Sequence, residues 1–231
     1  MNIYKNEKLI KRNARIAQIS MIAGLAVLGG GMVLSFRNPN QFNLSLIALV
    51  LGFILSQVGI FYSNRWGRRP RQDELLDQAL KGLDKKFSIY HYLTPANHLL
   101  IGPSGIWALL PYYQRGTIVF ENGRYKQKGG NLYLKIFAQE GLGRPELDVA
   151  AEKENLENFM RRQFPEEKFP PVEAAVVFTN DRSEISIPED AHPPAETVKL
   201  KDLKDTIRKA GKNKSLAMEK VKLLEQALNS A

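Results

Sequence analysis

The chain contains no cysteine, which excludes disulfides and every thiolate metal site. Histidine is almost as scarce. His91, His98 and His192 are the only three, and no two of them stand three to five residues apart, so a helical zinc site of the usual kind is not encoded. Acidic residues are missing from the first 71 positions, where Glu7 stands alone against ten Lys and Arg. From residue 72 onward there are 23 residues of each sign. The net charge of +9 therefore lies wholly in the N-terminal part, and the balanced remainder does not support a general affinity for nucleic acid.

Charge of either sign is absent from two long runs. Ile16–Phe36 is 21 residues, IAQISMIAGLAVLGGGMVLSF, and Phe42–Ser63 is 22 more, FNLSLIALVLGFILSQVGIFYS. At about 1.5 Å per residue each spans roughly 30 Å, the thickness of a bilayer hydrocarbon core. Only Arg37-Asn-Pro-Asn-Gln41 separates them, which forces an antiparallel hairpin. The first run is too long for a cleaved signal, which carries about 7–15 apolar residues, and no Ala-x-Ala-like site follows it. Small residues recur four apart, Ala26 and Gly30 in the first run and Ala48, Gly52 and Ser56 in the second, a spacing that permits close helix packing.

The cations set the orientation. Lys5, Lys8, Lys11, Arg12 and Arg15 precede the first run, Arg65, Arg68, Arg69 and Arg71 follow the second, and Arg37 alone marks the link. The positive-inside rule then places both termini in the cytoplasm of a two-pass, bacterial-type inner-membrane protein. Lys8, Lys11, Arg12, Arg15, Arg65, Arg68, Arg69 and Arg71 are expected at the membrane interface, in reach of anionic lipid. The expected organisation is a basic N-terminus (1–15), a transmembrane hairpin (16–63), a juxtamembrane linker (64–71), a soluble domain (72–210) and a C-terminal amphipathic helix (211–231), with Ser215 as its cap.

Within the soluble part, residues 73–86 carry the spacing of an amphipathic helix, and SIYHYL, HLLIG and IWALLPYY read as strands. Continuous apolar character in the last two predicts strands covered on both faces. Pro111 predicts a strand end or an edge. GTIVFENGRYKQKGG reads as a hairpin turning at Asn122-Gly123, which NLYLKIFAQ could extend. Pro145–Phe164 reads as a helix and PPVEAAVVFTN as a buried strand. Residues 181–197 read as a polar loop, and ETVKLKDLKDTIRKA as a strand feeding a helix. Helix and strand do not alternate strictly, so the expected fold is α/β with one mixed sheet.

This order, together with Asn97–Gly116, resembles the nuclease-related domain (NERD) family, usually placed in the PD-(D/E)xK restriction-endonuclease-like fold. The resemblance covers roughly Gln72 to Ala210 and implies a three-layer core. Its most specific part is Asn97-His98, LLIGPSG, IWAL, Leu110-Pro111-Tyr112 and Gly116. Glu74 stands where the family has a first-helix glutamate, and VEAAVVFTN with KDLKDTIRK resembles its later segment. The departures fall on the chemistry. Asn97 replaces the family's aspartate, Leu110 its glutamate and Tyr112 its lysine. Mg²⁺ prefers hard, charged oxygen ligands, and the phenol of Tyr112, with an ordinary pKa of about 10, does not supply a lysine's charge.

The resemblance therefore implies a membrane-anchored, nuclease-like domain without catalytic residues or cofactor, acting as a binding or scaffold module for an unknown protein partner or for a nucleic acid, the latter without support from the net charge of residues 72–231. Glu74, Asn97, His98, Leu110 and Tyr112 mark its relic site. Two alternatives remain open. One is a Mg²⁺-dependent nuclease with an acid that has migrated, Glu121 or Asp148 being the candidates. The other is an assembly protein that oligomerises through its hairpin. RYKQKGGNLYLK mixes cations with aromatics, as single-strand binding surfaces do, but reads better as an exposed hairpin. RKAGKNKS reads as a solvated basic turn.

Overall fold

The structure, a computed structural model, describes residues 1–129, 141–213 and 216–230. These form two compact units: residues 7–71, and a domain built from residues 1–6 together with those from 72 onward.

The two uncharged runs become helices Glu7–Arg37 (α1) and Phe42–Tyr62 (α2). Both are long and apolar enough to cross a membrane, and their apolar side chains face outward, as with Ile22 at 69% exposed and Phe36 at 80%. α1 begins well before Ile16, because Lys and Arg are good helix formers and nothing in residues 7–15 breaks the helix. A π-helical turn, Ser63–Gly67, extends α2. There Phe61 meets Tyr62 and Trp66 edge to face, Tyr62 and Trp66 are tilted against each other, and the Arg65 guanidinium lies over the Phe61 and Trp66 rings at 5.4 and 5.7 Å.

The helices meet through small residues, but not through all those the four-residue spacing picked out. Ala48, Gly52 and Ser56 face α1, whereas the α1 side of the contact is Gly24 and Gly31, not Ala26 and Gly30. A Cβ on Gly31 would stand 2.7 Å from Ala48 Cβ, and one on Gly52 would stand 3.1 Å from the Gly24 carbonyl oxygen; nothing lies within 4 Å of one on Gly30. Positions 24 and 31 are two helical turns apart and share a face, whereas Ala26 and Gly30 lie together on the opposite one. Because the chain has no cysteine, the pairing is directly testable. Gly31→Cys with Ala48→Cys should close an intramolecular disulfide under mild oxidation, read as a gel shift reversed by reductant, since the geometry needs Cα atoms within about 7 Å. Equal closure from Gly30→Cys with Ala48→Cys would refute this interface.

In the domain, the main sheet has six strands in the order β1-β2-β3-β4-β7-β9. They are Asn2–Lys5 (β1), Ser88–His91 (β2), His98–Gly102 (β3), Gly105–Tyr112 (β4), Glu173–Phe178 (β7) and Glu196–Lys199 (β9). β2, β3 and β4 are antiparallel neighbours, while β1 on β2, β7 on β4 and β9 on β7 are parallel. A smaller sheet holds Gly116–Glu121 (β5), Arg124–Lys128 (β6) and Ser183–Ser186 (β8) in the order β6-β5-β8. The β5–β6 turn is Asn122-Gly123, both at positive φ, as the Asn-Gly pair requires.

Helices cover both faces of the main sheet. Gln72–Ala79 (α3), with Leu80 just past its end, and Leu203–Asn213 (α5) pack Leu76, Leu80, Leu203 and Ile207 against Leu100, Trp107, Leu109 and Val177. Pro145–Gln163 (α4) and Met218–Ser230 (α6) pack Val149, Leu156, Met160, Val221 and Leu224 on the other face, against Leu99, Ile101, Ala108 and Val176. The expected mixed-sheet α/β class holds, and its strands are covered on both faces.

Several local expectations are revised. Residues 1–15 are not one basic tail: β1 belongs to the sheet and α1 begins at Glu7. Residues 181–197 are not a continuous loop, because β8 lies inside them. The C-terminal amphipathic helix begins at Met218 rather than at 211, because residues 211–213 still belong to α5; its Val221 and Leu224, with Leu216 before it, join the domain core. Pro111 is not at an edge, since β4 is central, but the strand ends one residue later. Thr179 N–H donates to the Tyr112 carbonyl at 2.7 Å, so residue 112 bonds toward β7 and Pro111 turns the opposite way. On that side pairing with β3 has already ended at Ala108, and the missing N–H breaks no ladder. NLYLKIFAQ and Ser215 lie outside the described residues.

Candidate functional site

Strand alternation and register decide where the five anticipated residues fall. β3 and β4 run antiparallel with Leu99 opposite Ala108, so the start of β3 lies at the same end of the sheet as Leu110 and Tyr112. Leu99 and Ile101 face α4, so Asn97, two residues earlier, does too. On β4, Ile106, Ala108 and Leu110 face α4, and Tyr112 continues the row. His98 shares its face with Leu100, the α3 face. Glu74 is on α3 itself. The sheet therefore splits the set: Asn97, Leu110 and Tyr112 are brought together on one side, Glu74 and His98 stand on the other.

On the α4 side the polar atoms are committed to the helix. The Asn97 amide N–H donates to Glu152 Oε1 at 2.9 Å, and the Tyr112 hydroxyl donates to Asp148 Oδ2 at 2.6 Å. Asp148 and Glu152 are four apart on α4, hence on one helix face. Leu110 is core, 5% exposed. Asp148 thus does reach the end of the sheet where Asn97, Leu110 and Tyr112 meet, with Glu152 as a second acid that sequence spacing did not single out. Glu121 does not. It lies on the exposed β5–β6 hairpin, where Lys128 and Lys126 bind it at 2.6 and 3.3 Å and those hydrogen bonds hold its pKa below the usual carboxylate range. Two cations of the RYKQK cluster are spent on this pair.

The α3 side holds a buried polar network that the sequence reading passed over. β1 and β2 put Lys5 opposite His91, and β2 and β3 put His91 opposite His98, so the three side chains form one row across the sheet. α3 lays two acids over it. Lys5 Nζ is 2.9 Å from Asp73 Oδ2 and 2.5 Å from Asp77 Oδ2, and Asp73 is fully buried. His91 Nε2 is 3.0 Å from Asp77 Oδ1, and His91 Nδ1 is 2.7 Å from His98 Nδ1. A carboxylate only accepts, so His91 carries its proton on Nε2. In neutral His91 the Nδ1 is then the acceptor, and His98 donates from its own Nδ1. Burial of the Lys5 ammonium works against its charge, yet the hydrogen bonds and charges of Asp73 and Asp77 outweigh that and raise its pKa above the usual lysine value. One signal was legible: Asp73 and Asp77 share the helix face of Leu76 and Leu80, where a purely apolar stripe would be expected.

No group of three or more His, Asp or Glu side chains is arranged to hold a metal ion among the described residues. At the Asn97–Tyr112 end of the sheet, Asn97 turns its amide N–H, not its oxygen, toward Glu152, Asp148 accepts from Tyr112, and no lysine stands at position 112. In the α3 network an ammonium occupies the place between the two carboxylates. A shallow groove of about 480 Å³ beside β8 and β9 is lined by Ile185, Ile187, His192 and Thr197 among others, and none of the five anticipated residues lines it.

Comparison of the chain with protein-family models, curated proteins and solved structures finds no match.

Proposed function

We propose that this chain is a two-span membrane protein whose α/β domain is a nuclease-like module used for binding or scaffolding rather than for metal-dependent cleavage. The observation that carries this reading is the use made of Asn97, Leu110 and Tyr112. Where the resemblance calls for acid, acid and lysine, the chain has two side chains that fasten α4 to the sheet and one that fills the core between them. The succession of α3, the main-sheet strands β2–β4, α4 and β7 among the described residues, with β5 and β6 of the smaller sheet inserted before α4, supports the resemblance. The outward-facing apolar side chains of α1 and α2 support the membrane assignment, because large contiguous apolar surface is rare on soluble monomers. Pairing of β1 with β2 supports the two-pass orientation: an even number of crossings is needed for residues before and after the hairpin to share a sheet. The cations at those two ends put that shared side in the cytoplasm.

A rearranged nuclease site has one observation in its favour, the presence of Asp148 and Glu152 beside Tyr112 and Asn97. The test is full-length protein in nanodiscs, incubated with plasmid, single-stranded DNA and RNA in Mg²⁺ or Mn²⁺. No metal-dependent cleavage is expected, with Asp148→Asn and Glu152→Gln indistinguishable from the native chain. Cleavage that requires the metal and is lost in either variant would overturn the binding-module reading and establish the nuclease.

A further inference from the structure

α1 begins outside the apolar run and carries four cations in its first three turns: Lys8, Lys11, Arg12 and Arg15. All four are exposed. At 100° per residue they fall within an arc of about 100°, and the buried residues of the same turns, Ile10, Asn13 and Ala17, centre on the opposite face. This is a stripe, about 10 Å long at 1.5 Å per residue. Glu7 is the only acid in the first 71 residues.

Within residues 7–71 the stripe shares its end of the hairpin with the π-helical turn, since a Cβ on Gly67 would lie 3.8 Å from Ala17 Cβ. That turn adds Arg65, held over the Phe61 and Trp66 rings. The far end of the hairpin offers Arg37 alone. One end is therefore strongly cationic and aromatic, and its cations abut the apolar run without a spacer: Arg15 is followed at once by Ile16.

We infer that the Lys8–Lys11–Arg12–Arg15 stripe is a binding surface for the phosphodiester headgroups of anionic phospholipid, making the protein selective for anionic membrane. The inference rests on the two-span reading and goes further, by naming the lipid class and the residues that select it. Charge complementarity and position choose this occupant. Phosphodiesters at the bilayer surface lie where the stripe emerges from the apolar run, and cations near such a surface are drawn to it within a Debye length. A nucleic acid duplex would have to press flush against the bilayer to reach Arg15.

Trp66 provides the readout. It is one of two tryptophans; the other, Trp107, is buried in the domain core and contributes a background that lipid does not change. Full-length protein is reconstituted in vesicles of mixed phosphatidylcholine and phosphatidylglycerol in which one lipid, the other or neither carries brominated chains, and quenching of Trp66 is compared at low and high salt. The expected result is several-fold stronger association with brominated phosphatidylglycerol, weakened by salt. The variant carrying K8Q, K11Q, R12Q and R15Q should fall to near parity while keeping the native quenching by brominated phosphatidylcholine, which shows that its hairpin is still inserted. No preference in the native chain, or a preference kept by the variant, overturns the proposal. So does a variant that loses affinity for labelled DNA while its lipid preference stays native. Quenching by neither lipid would overturn the membrane reading itself, and with it this one.

Discussion

Lys5→Ala will destabilise the α/β domain by about 3 kcal/mol, the cost of leaving buried charge without its partner. For a domain of this size that lowers Tm by roughly 6–12 °C. The argument is local. Asp73 is fully buried, Asp77 nearly so, and Lys5 is the cation between them. Little else could take its place, because His91 is already engaged by Asp77 on one nitrogen and His98 on the other. Truncation should also loosen β1, which is otherwise held by backbone pairing, by Tyr4 stacked on Tyr90 at 4.8 Å, and by Asn2 and Asn6 bonded to Ser88 and the Tyr92 carbonyl. Thermal melts of the full-length chain in detergent, followed by Trp107 fluorescence, measure the loss. The triple variant Lys5→Met, Asp73→Asn, Asp77→Asn separates charge from packing: with no charge stranded it should regain most of the stability. A Lys5→Ala protein within 0.5 kcal/mol of native would show that water already solvates these carboxylates. The pH dependence has a definite sign. The folded-state pKa of Lys5 is raised, so its contribution is complete below the ordinary lysine value of 10.5 and disappears as pH rises through the higher folded-state value. The native chain should lose this increment at alkaline pH and Lys5→Ala should not. A fragment starting at residue 72 would lack β1 and Lys5 together and is expected to fold poorly.

Leu110→Glu, the first step in rebuilding an acidic motif on β4, should cost about 3–5 kcal/mol. Position 110 is 5% exposed within the apolar cluster that holds Leu99, Ala108 and Val176. The new carboxylate would face α4, whose nearest acids, Asp148 and Glu152, are already accepting from Tyr112 and Asn97. Leu110→Met is the control and should cost under about 1.5 kcal/mol, since volume and polarity are kept. Equilibrium denaturation of both variants distinguishes the outcomes. If Leu110→Glu were as stable as Leu110→Met, the relic end would have room and solvent for an acid, and the inactive-module reading would weaken. A reconstruction with Asn97→Asp, Leu110→Glu and Tyr112→Lys together must be judged against this cost, because Tyr112→Lys also removes the hydroxyl that binds Asp148.

The hairpin was legible because it is encoded locally: two runs without charge, joined by five residues, admit few alternatives. Strands β3, β4, β5 and β7 were legible for a similar reason, as short apolar runs bounded by Gly, Pro and Asn, and β6 through the Asn122-Gly123 turn ahead of it. β1 was not. Four residues, NIYK, lie just ahead of the long helix α1, and their partner is 86 positions further on. Read by sequence distance, Lys5 is one more cation ahead of a helix; read by register, it is the buried counter-charge of α3. β8 was missed because SEIS is short and half exposed on a sheet edge, and such a strand carries little alternation to detect.

The candidate site shows the same division. Composition and pattern alone determined that a two-helix hairpin precedes an α/β domain, that thiolate chemistry is absent, and that positions 97, 110 and 112 carry no acid or lysine. Only the tertiary structure decided that these three face α4 while Glu74 and His98 stand across the sheet, that Asp148 and Glu152 reach the first group, and that Lys5, Asp73, Asp77, His91 and His98 form one network. The reason is physical. A strand's alternation specifies which residues share a face, but which helix covers that face, and which distant strand completes the row, depends on long-range pairing that no local window of sequence contains.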